Sequence, residues 1–390
     1  MINFDEIIER RNTDSLKYDF AARRGLPEDV LPLWVADMDF RTPPCVIDAL
    51  VDKSRHGIFG YSESREDYFE VLKSWFHRRF GWDIRPEWLI KAPGVVFAIC
   101  MAIRALTSEG DAVLIQQPVY YPFASSVTHN NRELVVSELV YENGRYHIDF
   151  EDFERKIVER SVKMFILCSP HNPVGRVWTK EELTRMGDIC VKYGVIVVAD
   201  EIHADFVYPG YSHTVFANLK PEFADITVTC TAPTKTFNLA GLQISNIFVS
   251  NKLMRRRIKQ EISRAGYSQL NVMGMVACKA AYAQGEEWLE ELKAYLTGNL
   301  CFVRSFIGAH MPEIRLVEPE GTYLVWLDCR ALGLNDKALD ELVIQRAKLW
   351  LDGGHMFGQG GSGFQRVNIA CPRSLLERAM EQLAAAVTSR

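Results

Sequence analysis

The 390-residue sequence predicts an α/β fold: a large domain with a mostly parallel sheet covered by helices, and a smaller α+β domain. Three observations lead to this prediction. The middle of the chain alternates short apolar runs with helical stretches, which is typical of parallel strands joined by helices. No repeat or low-complexity tract interrupts the chain. After about residue 285 the alternation stops, and helices and strands group as in an α+β lobe.

The elements of the large domain follow from local patterns. A helix is predicted over 179–194, because Thr179 and Glu182 have capping-box spacing and Gly194 closes the pattern. The segment 91–106 begins with a Pro-Gly turn and continues as an apolar helix. Five short apolar runs are predicted as buried strands: 112–118, 164–170, 195–200, 226–230 and 242–250.

The last third supplies the smaller domain. Residues up to about 45 are rich in turn signals and are predicted to pack with it. The predicted boundaries are therefore 46–285 for the large domain, and 1–45 together with 286–390 for the small one. Its predicted elements are a helix at 286–308, strand-like segments at 314–329 and 365–371, and helices at 338–351 and 374–387.

Composition excludes several classes of function. The formal net charge is −5, so no global field favours nucleic acid or an anionic membrane, and the basic run at 255–257 fits a solvated helix face. No window approaches ~18 uninterrupted apolar residues, and the N-terminus lacks a signal-peptide core. The nine cysteines are scattered, without a CxxC motif for a metal. We expect a cytoplasmic protein with free thiols, no metal, and neither a membrane nor a nucleic-acid partner.

Polar residues follow three of the predicted strands. Asn172 lies in the SPHNPVG turn (169–175), Asp200 ends the run 195–200, and Lys235 follows 226–230. Ligands of parallel sheets gather at the carboxyl ends of strands. A lysine in a dry site can form a Schiff base, and a buried aspartate keeps a pyridine nitrogen protonated. The alternative for Lys235 and Asp200 is an ion pair that only joins two strands.

Three motifs around these residues decide between the two readings. The segments HNPVG (171–175), ADEIH (199–203) and APTKTFNLAG (232–241) resemble, in order, those of fold-type I pyridoxal-phosphate enzymes, the aspartate-aminotransferase superfamily. The resemblance implies pyridoxal 5'-phosphate as cofactor, with Lys235 as its attachment point. It also implies that Asn172 donates to the phenolate of the ring. His203, three residues past Asp200, is expected to steady that aspartate.

The same resemblance implies further site residues. Tyr120 would stack on the cofactor ring and Tyr121 would face the substrate. Arg366, in GFQRVNIACP (363–372), would clamp the α-carboxylate of an amino-acid substrate. Tyr61 would reach the phosphate from a neighbouring subunit, which implies a homodimer. The remaining phosphate contacts would come from the start of the helix in 91–106 and from the lysine motif: Gly94, Val95, Val96 and Thr234.

The phosphate pattern departs from the superfamily at two positions. A serine often precedes the lysine by three residues and an arginine follows it by eight, whereas this chain has Ala232 and Gln243. These departures point away from aspartate aminotransferases. The whole chain, including LWVADMDF (33–40), instead resembles the cystathionine β-lyase or C–S lyase group, which includes the maltose-regulon modulator type and is also called PatB-like. In that group the segment borders the substrate, which implies roles for Trp34, Ala36 and Asp37.

The predicted function is therefore a pyridoxal-phosphate-dependent C–S β-lyase. It would cleave L-cystathionine or a related S-substituted L-cysteine by α,β-elimination to pyruvate, ammonia and a thiol such as homocysteine. Lys235 would move the α-proton, and Lys235 or Tyr121 would protonate the departing sulfur. An aminotransferase is the alternative, and it would need a keto acid acceptor. A regulatory or binding protein on the same fold is the third hypothesis.

Overall fold

The computed structural model describes residues 2–389, and its elements alternate as the sequence predicts. The strands are Leu31–Pro32 (β1), Leu89–Ala92 (β2), Ala112–Gln117 (β3), Glu133–Glu142 (β4), Arg145–Ile148 (β5), Met164–Cys168 (β6), Ile196–Asp200 (β7), Thr227–Thr231 (β8), Ser245–Phe248 (β9), Arg315–Val317 (β10), Leu324–Asp328 (β11), Leu349–Trp350 (β12), Asp352–Gly353 (β13) and Phe364–Asn368 (β14).

The helices cover both faces of the main sheet and pack around the smaller one. They are Pro44–His56 (α1), Glu66–Phe80 (α2), Val95–Leu106 (α3), Pro122–Thr128 (α4), Phe150–Glu159 (α5), Lys180–Tyr193 (α6), Pro221–Ile226 (α7), Pro233–Thr236 (α8), Lys252–Arg264 (α9), Val272–Gln284 (α10), Glu286–His310 (α11), Asp336–Glu341 (α12) and Arg373–Thr388 (α13).

The main sheet has eight strands in the order β2-β9-β8-β7-β6-β3-β4-β5. The five strands from β8 to β4 are parallel to one another, and the pairs β2–β9, β9–β8 and β4–β5 at the two sides are antiparallel. Successive residues of β6 enter different clusters: Met164 packs with α3 and α9, and Phe165 packs with α5 and α6. Both faces of the sheet are therefore buried, which explains the continuous apolar runs.

Two smaller sheets contain the remaining strands. The first has the antiparallel order β10-β11-β14-β13. The second is the parallel pair β1–β12, in which Leu31 lies opposite Leu349 and Pro32 opposite Trp350. The N-terminal segment is thus hydrogen-bonded to the last third of the chain.

One predicted helix is wrong in its second half. The pattern 338–351 predicts a single helix, but α12 ends at Glu341, a π-helical turn covers Leu342–Arg346, and β12 follows. Lys348 has a φ of 54°, a left-handed conformation that ends the helical path. The pairing of β12 with β1 is a long-range contact that a local pattern does not contain. The antiparallel direction of β9 is likewise set by its neighbours in the sheet.

Residues 34–40, which we call the 34–40 segment, have no regular secondary structure although most of them are buried. Their carbonyl groups accept hydrogen bonds from side chains instead of from a neighbouring strand. The donors are Arg366 to the Trp34 carbonyl (2.7 Å), Asn368 to those of Val35 (2.8 Å) and Asp37 (2.6 Å), and Lys235 (2.7 Å) and Tyr323 (3.1 Å) to that of Ala36.

Asn238 holds the end of the same segment. Its Oδ1 accepts from the Met38 amide at 2.9 Å, and its Nδ2 donates to the carbonyls of Met38 (3.1 Å) and Phe40 (2.9 Å). Asn238 itself has a φ of 57°, and asparagine tolerates this conformation better than most residues. One side chain therefore replaces three backbone hydrogen bonds of a strand.

Two charged side chains anchor the 34–40 segment from the N-terminal side by pairing with two of its carboxylates. Lys17 is fully buried, and its ammonium lies 2.8 Å from an Asp39 oxygen. Arg10 pairs with both carboxylates, at 2.6 Å to Asp37 and 2.7 Å to Asp39. Two cations thus neutralise two anions, which is the condition under which charges are tolerated in an interior.

Breaking this cluster should destabilise the protein. We expect Lys17→Met to lower the free energy of unfolding by about 3 kcal/mol, because the buried Asp39 carboxylate then has only the guanidinium of Arg10, which it shares with the partly exposed Asp37. Urea unfolding followed by circular dichroism measures the loss. The control is Lys73→Met, whose ammonium lies 3.8 Å from Glu70 on an exposed helix face and whose loss should stay within about 0.5 kcal/mol. Equal losses for the two variants would contradict the proposed anchoring.

Candidate active site

The registers of the main sheet bring the predicted polar residues to one edge. Cys168, Asp200 and Cys230 are aligned across β6, β7 and β8. Asn172 lies four residues beyond the end of β6, and Lys235 lies in α8, directly after β8. Because these three strands are parallel, all of these residues leave the sheet on the same side.

Lys235 lies against the 34–40 segment. Its Nζ donates to the Ala36 carbonyl, 2.7 Å away, and the side chain is only partly exposed. Burial lowers its pKa to about 8; the Arg366 charge acts in the same direction, while Asp37 and Asp200 oppose it. An appreciable fraction of the amine is therefore neutral near neutral pH, as a nucleophile or base requires.

Asp200 is buried at the end of β7. Its Oδ1 accepts from the amide of Ile202 at 3.1 Å. Burial raises its pKa to about 7, although that hydrogen bond and the Lys235 charge act in the opposite direction. A carboxylate held here is short of positive partners, so a cationic group of a ligand would be stabilised beside it.

Arg366 and Asn172 form a buried pair on the other side of Lys235. Arg366 Nη1 donates to Asn172 Oδ1 at 3.0 Å, and Nη2 contacts the Asp352 carboxylate. The guanidinium lies 4.9 Å from the Phe357 ring centroid. The Nε of Arg366 is buried and has no hydrogen-bond partner among residues 2–389. Since the Asn172 oxygen is engaged, its Nδ2 is the donor that remains for a ligand.

His203 lies three residues past Asp200 along the chain, and its expected role of steadying that aspartate stays a prediction. Its ring lies edge-on to Tyr323, with centroids 5.8 Å apart, and its buried Nδ1 has no hydrogen-bond partner within residues 2–389. Burial lowers its pKa to about 3, with smaller effects from the Lys235 and Arg366 charges. The neutral imidazole therefore belongs to the same site, and its free ring nitrogen is available to a ligand.

Tyr120 and Tyr121 follow β3 at the same edge. The Tyr120 amide donates to the Asn172 carbonyl at 3.0 Å, and the two phenol rings have centroids 5.5 Å apart. Burial raises the pKa of Tyr120 to about 12, so its phenol is neutral. Tyr121 is partly exposed, and its ring centroid lies 5.8 Å from that of Phe357. The predicted pair of tyrosines thus borders Arg366 and Asn172.

The predicted phosphate contacts lie at a neighbouring part of the edge. Ala92 is paired with Ser245, and Asn246 with Thr231, so the ends of β2 and β8 lie on either side of the start of β9. The chain leaves β2 through Gly94 into α3 and leaves β8 through Thr234. Helix α3 begins without a side-chain cap, so the amides at its start, including those of Val95 and Val96, are free for an anion.

Tyr61 is the predicted residue that this chain does not bring to the site. It is 96% exposed, in the loop between α1 and α2, beside exposed Ile58 and Phe59. Within residues 2–389 of its own chain, Tyr61 does not lie with the other predicted site residues. Its position is compatible with a contact to the phosphate site of a neighbouring subunit, as the sequence resemblance implies.

Several residues of the site were missed by sequence reasoning. Asn368 lies two residues after Arg366 on β14, hence on the same face, and strand alternation could have identified it. Tyr323 and Asp352 carry no local signal, because their roles depend on contacts with distant parts of the chain.

The residues present fit pyridoxal 5'-phosphate. Two of them, His203 and Arg366, have buried polar atoms without a partner, and the uncapped start of α3 suits a phosphate dianion. The buried acid Asp200 suits a protonated pyridine nitrogen, and Lys235 is a lysine of lowered pKa. Within residues 2–389, no three or more His, Cys, Asp or Glu residues are grouped so that they could hold a metal ion.

The fold and the site together define a class: an α/β enzyme with a lysine of lowered pKa at the carboxyl edge of its parallel strands. The chain belongs to the aminotransferase class I and II family, whose model matches residues 28–383. It is 42% identical over 387 residues to cystathionine β-lyase PatB of Bacillus subtilis (strain 168), covering 99% of this chain and 100% of that protein. It is 33% identical over 390 residues to protein MalY of Escherichia coli (strain K12), covering 99% of each.

Solved structures agree. The structure of cystalysin from Treponema denticola, which contains a pyridoxal 5'-phosphate cofactor, superposes with a TM-score of 0.97 at 38% identity, covering 100% of this chain and 99% of that one. The family and the fold class predicted from the sequence are thus both confirmed. Within the described residues, no helix has the length and apolar character needed to cross a bilayer.

The raised pKa of Asp200 predicts a pH-dependent cost in stability. Folding takes up a proton at Asp200 between about pH 4 and pH 7, so the stability of the wild type falls as pH rises through that window. Asp200→Asn removes this dependence. In urea unfolding of the cofactor-free protein, we expect the stability of the variant relative to wild type to increase by about 2–3 kcal/mol from pH 5 to pH 8.

The control is Asp52→Asn, whose carboxylate is 78% exposed. Its difference from the wild type should not change with pH over the same range. If Asp200→Asn gave the same flat difference, the carboxylate of Asp200 would not be under the desolvation that its position implies.

Proposed function

We propose that the protein is a pyridoxal-phosphate-dependent C–S β-lyase that cleaves L-cystathionine or a related S-substituted L-cysteine. The observation that carries the proposal is the similarity, over the whole chain, to proteins named cystathionine β-lyase. The site supports it, because a lysine of lowered pKa, a buried aspartate and a buried arginine converge at one edge of the sheet. These are the groups that an amino-acid substrate and this cofactor require.

Lys235, Asp200, Asn172, Tyr120 and His203 would hold the cofactor ring. Asp200 would face the pyridine nitrogen, Asn172 and His203 would offer their remaining polar atoms, and Tyr120 would cover one face. The phosphate would be bound by the amides of Gly94, Val95 and Val96, by Thr234 and by Tyr61. When bound, the cofactor accepts the electron pair released at the substrate α-carbon.

The substrate would be positioned by Arg366, whose free Nε and a neighbouring Nη can face the α-carboxylate. Trp34, Ala36 and Asp37 would border it through the 34–40 segment. Lys235, neutral in part at physiological pH, removes the α-proton as a general base. The Cβ–S bond then breaks, and a proton from Lys235 or from the Tyr121 phenol goes to the departing sulfur. With water, the net products are the thiol, pyruvate and ammonia.

The departures from the aminotransferase pattern are compatible with this activity. Ala232 is buried and offers no hydroxyl, and Gln243 has a φ of 50° in a tight turn. Phosphate binding therefore rests on helix α3, Thr234 and the partner's tyrosine. An aminotransferase is the less favoured function, because the most similar named relatives reported above are a cystathionine β-lyase and a protein not named as a transaminase.

Three further proposals accompany this function. The domains divide at 45/46 and 285/286, which the separate sheets and the β1–β12 pairing support. The protein works as a homodimer in which Tyr61 crosses to the other subunit, supported by the exposure of Tyr61, Phe59 and Ile58. It resides in the cytoplasm, supported by nine cysteines that are all unpaired.

The activity can be tested directly. Protein purified with pyridoxal phosphate should release pyruvate and homocysteine from L-cystathionine over many turnovers with no keto acid present. Lys235→Ala should lower kcat by at least about a thousandfold, because the general base is lost. Product that stops at one equivalent and resumes only on addition of a keto acid would instead establish an aminotransferase.

The role of Tyr61 can be tested by mixing two defective chains. Lys235→Ala and Tyr61→Ala subunits should each be poorly active alone. If each site combines Lys235 of one chain with Tyr61 of the other, a statistical mixture regains up to about a quarter of wild-type activity, since half of the dimers hold one intact site.

Co-expression with two different affinity tags allows the mixed dimer to be isolated and its kcat measured. Tyr211→Ala, which removes another exposed tyrosine, serves as a control and should be fully active alone. If the mixed dimer recovers no activity, Tyr61 does not act across a subunit boundary.

A further inference from the structure

An arginine lies over two stacked tryptophan rings beside the 34–40 segment. Arg24 is exposed, at the end of a single 3₁₀ turn, and its guanidinium carbon lies 5.4 Å from the Trp34 ring centroid and 5.6 Å from that of Trp350. The two indole rings are stacked, with centroids 4.4 Å apart and an interplanar angle of 11°. We refer to these three residues as the Arg24 shelf.

The position of the shelf is fixed by backbone pairing. Trp350 ends β12, opposite Pro32, and its carbonyl accepts from the Leu33 amide at 2.8 Å. The indole Nε1 of Trp34 also donates to the Lys17 carbonyl at 3.4 Å. The aromatic surface under Arg24 is therefore held by a strand pair and not by a mobile loop alone.

Trp34 connects the shelf to the substrate-binding arginine. Its carbonyl accepts a hydrogen bond from Arg366 Nη2 at 2.7 Å, and the Arg24 guanidinium lies over its ring. Trp34 thus contacts both guanidinium groups, one through its carbonyl and the other through its ring. The Arg24 charge also acts on the Tyr121 phenol, where it opposes the rise in pKa caused by burial. Arg24 therefore lies on the substrate side of the site.

The charge of Arg24 is not neutralised in the chain. Arg366 is paired with Asp352, but no carboxylate of residues 2–389 forms an ion pair with Arg24; its Nη1 has only a long contact of 3.5 Å with the Phe20 carbonyl. Most of its N–H donors are therefore free. A guanidinium stacked on aromatic rings with its donors free is arranged to bind a carboxylate in its plane.

We infer that Arg24, held by the stacked rings of Trp34 and Trp350, binds a carboxylate on the leaving thiol of the substrate. This inference rests on the proposed lyase function and narrows it. The preferred substrates are S-substituted cysteines with a second carboxylate at the far end, bound at one end by Arg366 and at the other by Arg24. Thioethers whose leaving thiol carries no carboxylate lack this second contact.

Three substrates test the inference, because only one of them has a carboxylate on its leaving thiol. They are L-cystathionine, S-ethyl-L-cysteine and S-(2-aminoethyl)-L-cysteine, and thiol release by the cofactor-loaded enzyme gives kcat and KM for each. In Arg24→Gln, the ratio of kcat/KM for L-cystathionine to that for S-ethyl-L-cysteine should fall about three- to tenfold, mainly through KM. In Arg24→Glu, the ratio of kcat/KM for S-(2-aminoethyl)-L-cysteine to that for L-cystathionine should rise.

Two controls separate recognition from a structural effect. Arg23→Gln changes the adjacent arginine, which lies over the Phe20 ring, and should leave the ratio at the wild-type value. Added salt should lower the wild-type ratio but not that of Arg24→Gln, since an exposed ion pair is screened. The inference is overturned if Arg24→Gln keeps the wild-type ratio, or if it lowers kcat/KM equally for all three substrates.

The outcomes also separate this inference from the function on which it rests. If the wild-type enzyme releases thiol from none of the three substrates, the lyase proposal fails, and the inference fails with it. Release of thiol with a selectivity that does not depend on residue 24 would contradict only the role of Arg24.

Discussion

The structure depends on how the buried carbonyl groups of the 34–40 segment are satisfied. This segment runs through the interior without a strand partner, and an unpaired buried carbonyl costs about 1–3 kcal/mol. The protein supplies the missing donors from side chains, and two of these donors are Lys235 and Arg366. The hydrogen bonds that fold the segment therefore also orient the groups that the proposed reaction uses. Stability and function share the same few contacts.

This sharing raises the question of how Lys235 can leave its partner. The Ala36 carbonyl has a second donor, the Tyr323 hydroxyl at 3.1 Å, so it stays paired when the lysine amine moves. The Trp34 carbonyl has no second hydrogen-bond donor among residues 2–389. Arg366 is held by contacts with three residues, Trp34, Asn172 and Asp352. The arrangement thus gives a movable base beside a rigid arginine, as a positioned substrate requires.

The sequence predicted the parts of the site that follow from local patterns. Asn172, Asp200 and Lys235 were found because each follows a short apolar strand, and parallel pairing then brings strand ends together. Tyr323 could not be found in this way, because its hydroxyl reaches a carbonyl 287 residues away in the chain. The helix predicted over 338–351 failed for the same reason: the local pattern is helical, but Lys348 turns the chain into a strand that pairs with the distant β1.

Burial also explains why the two titratable groups of the site are adjusted in opposite senses. Desolvation disfavours any charge, so it lowers the pKa of Lys235 and raises that of Asp200, and each group moves toward its neutral form. A direct Lys235–Asp200 ion pair would reverse both shifts, yet Lys235 donates to Ala36 instead. The 34–40 segment thus binds the amine in place of the carboxylate, which in the proposed function would leave Asp200 for a cationic ring nitrogen and Lys235 for proton transfer. This separation favours the proposed reactive site over an ion pair that only joins two strands.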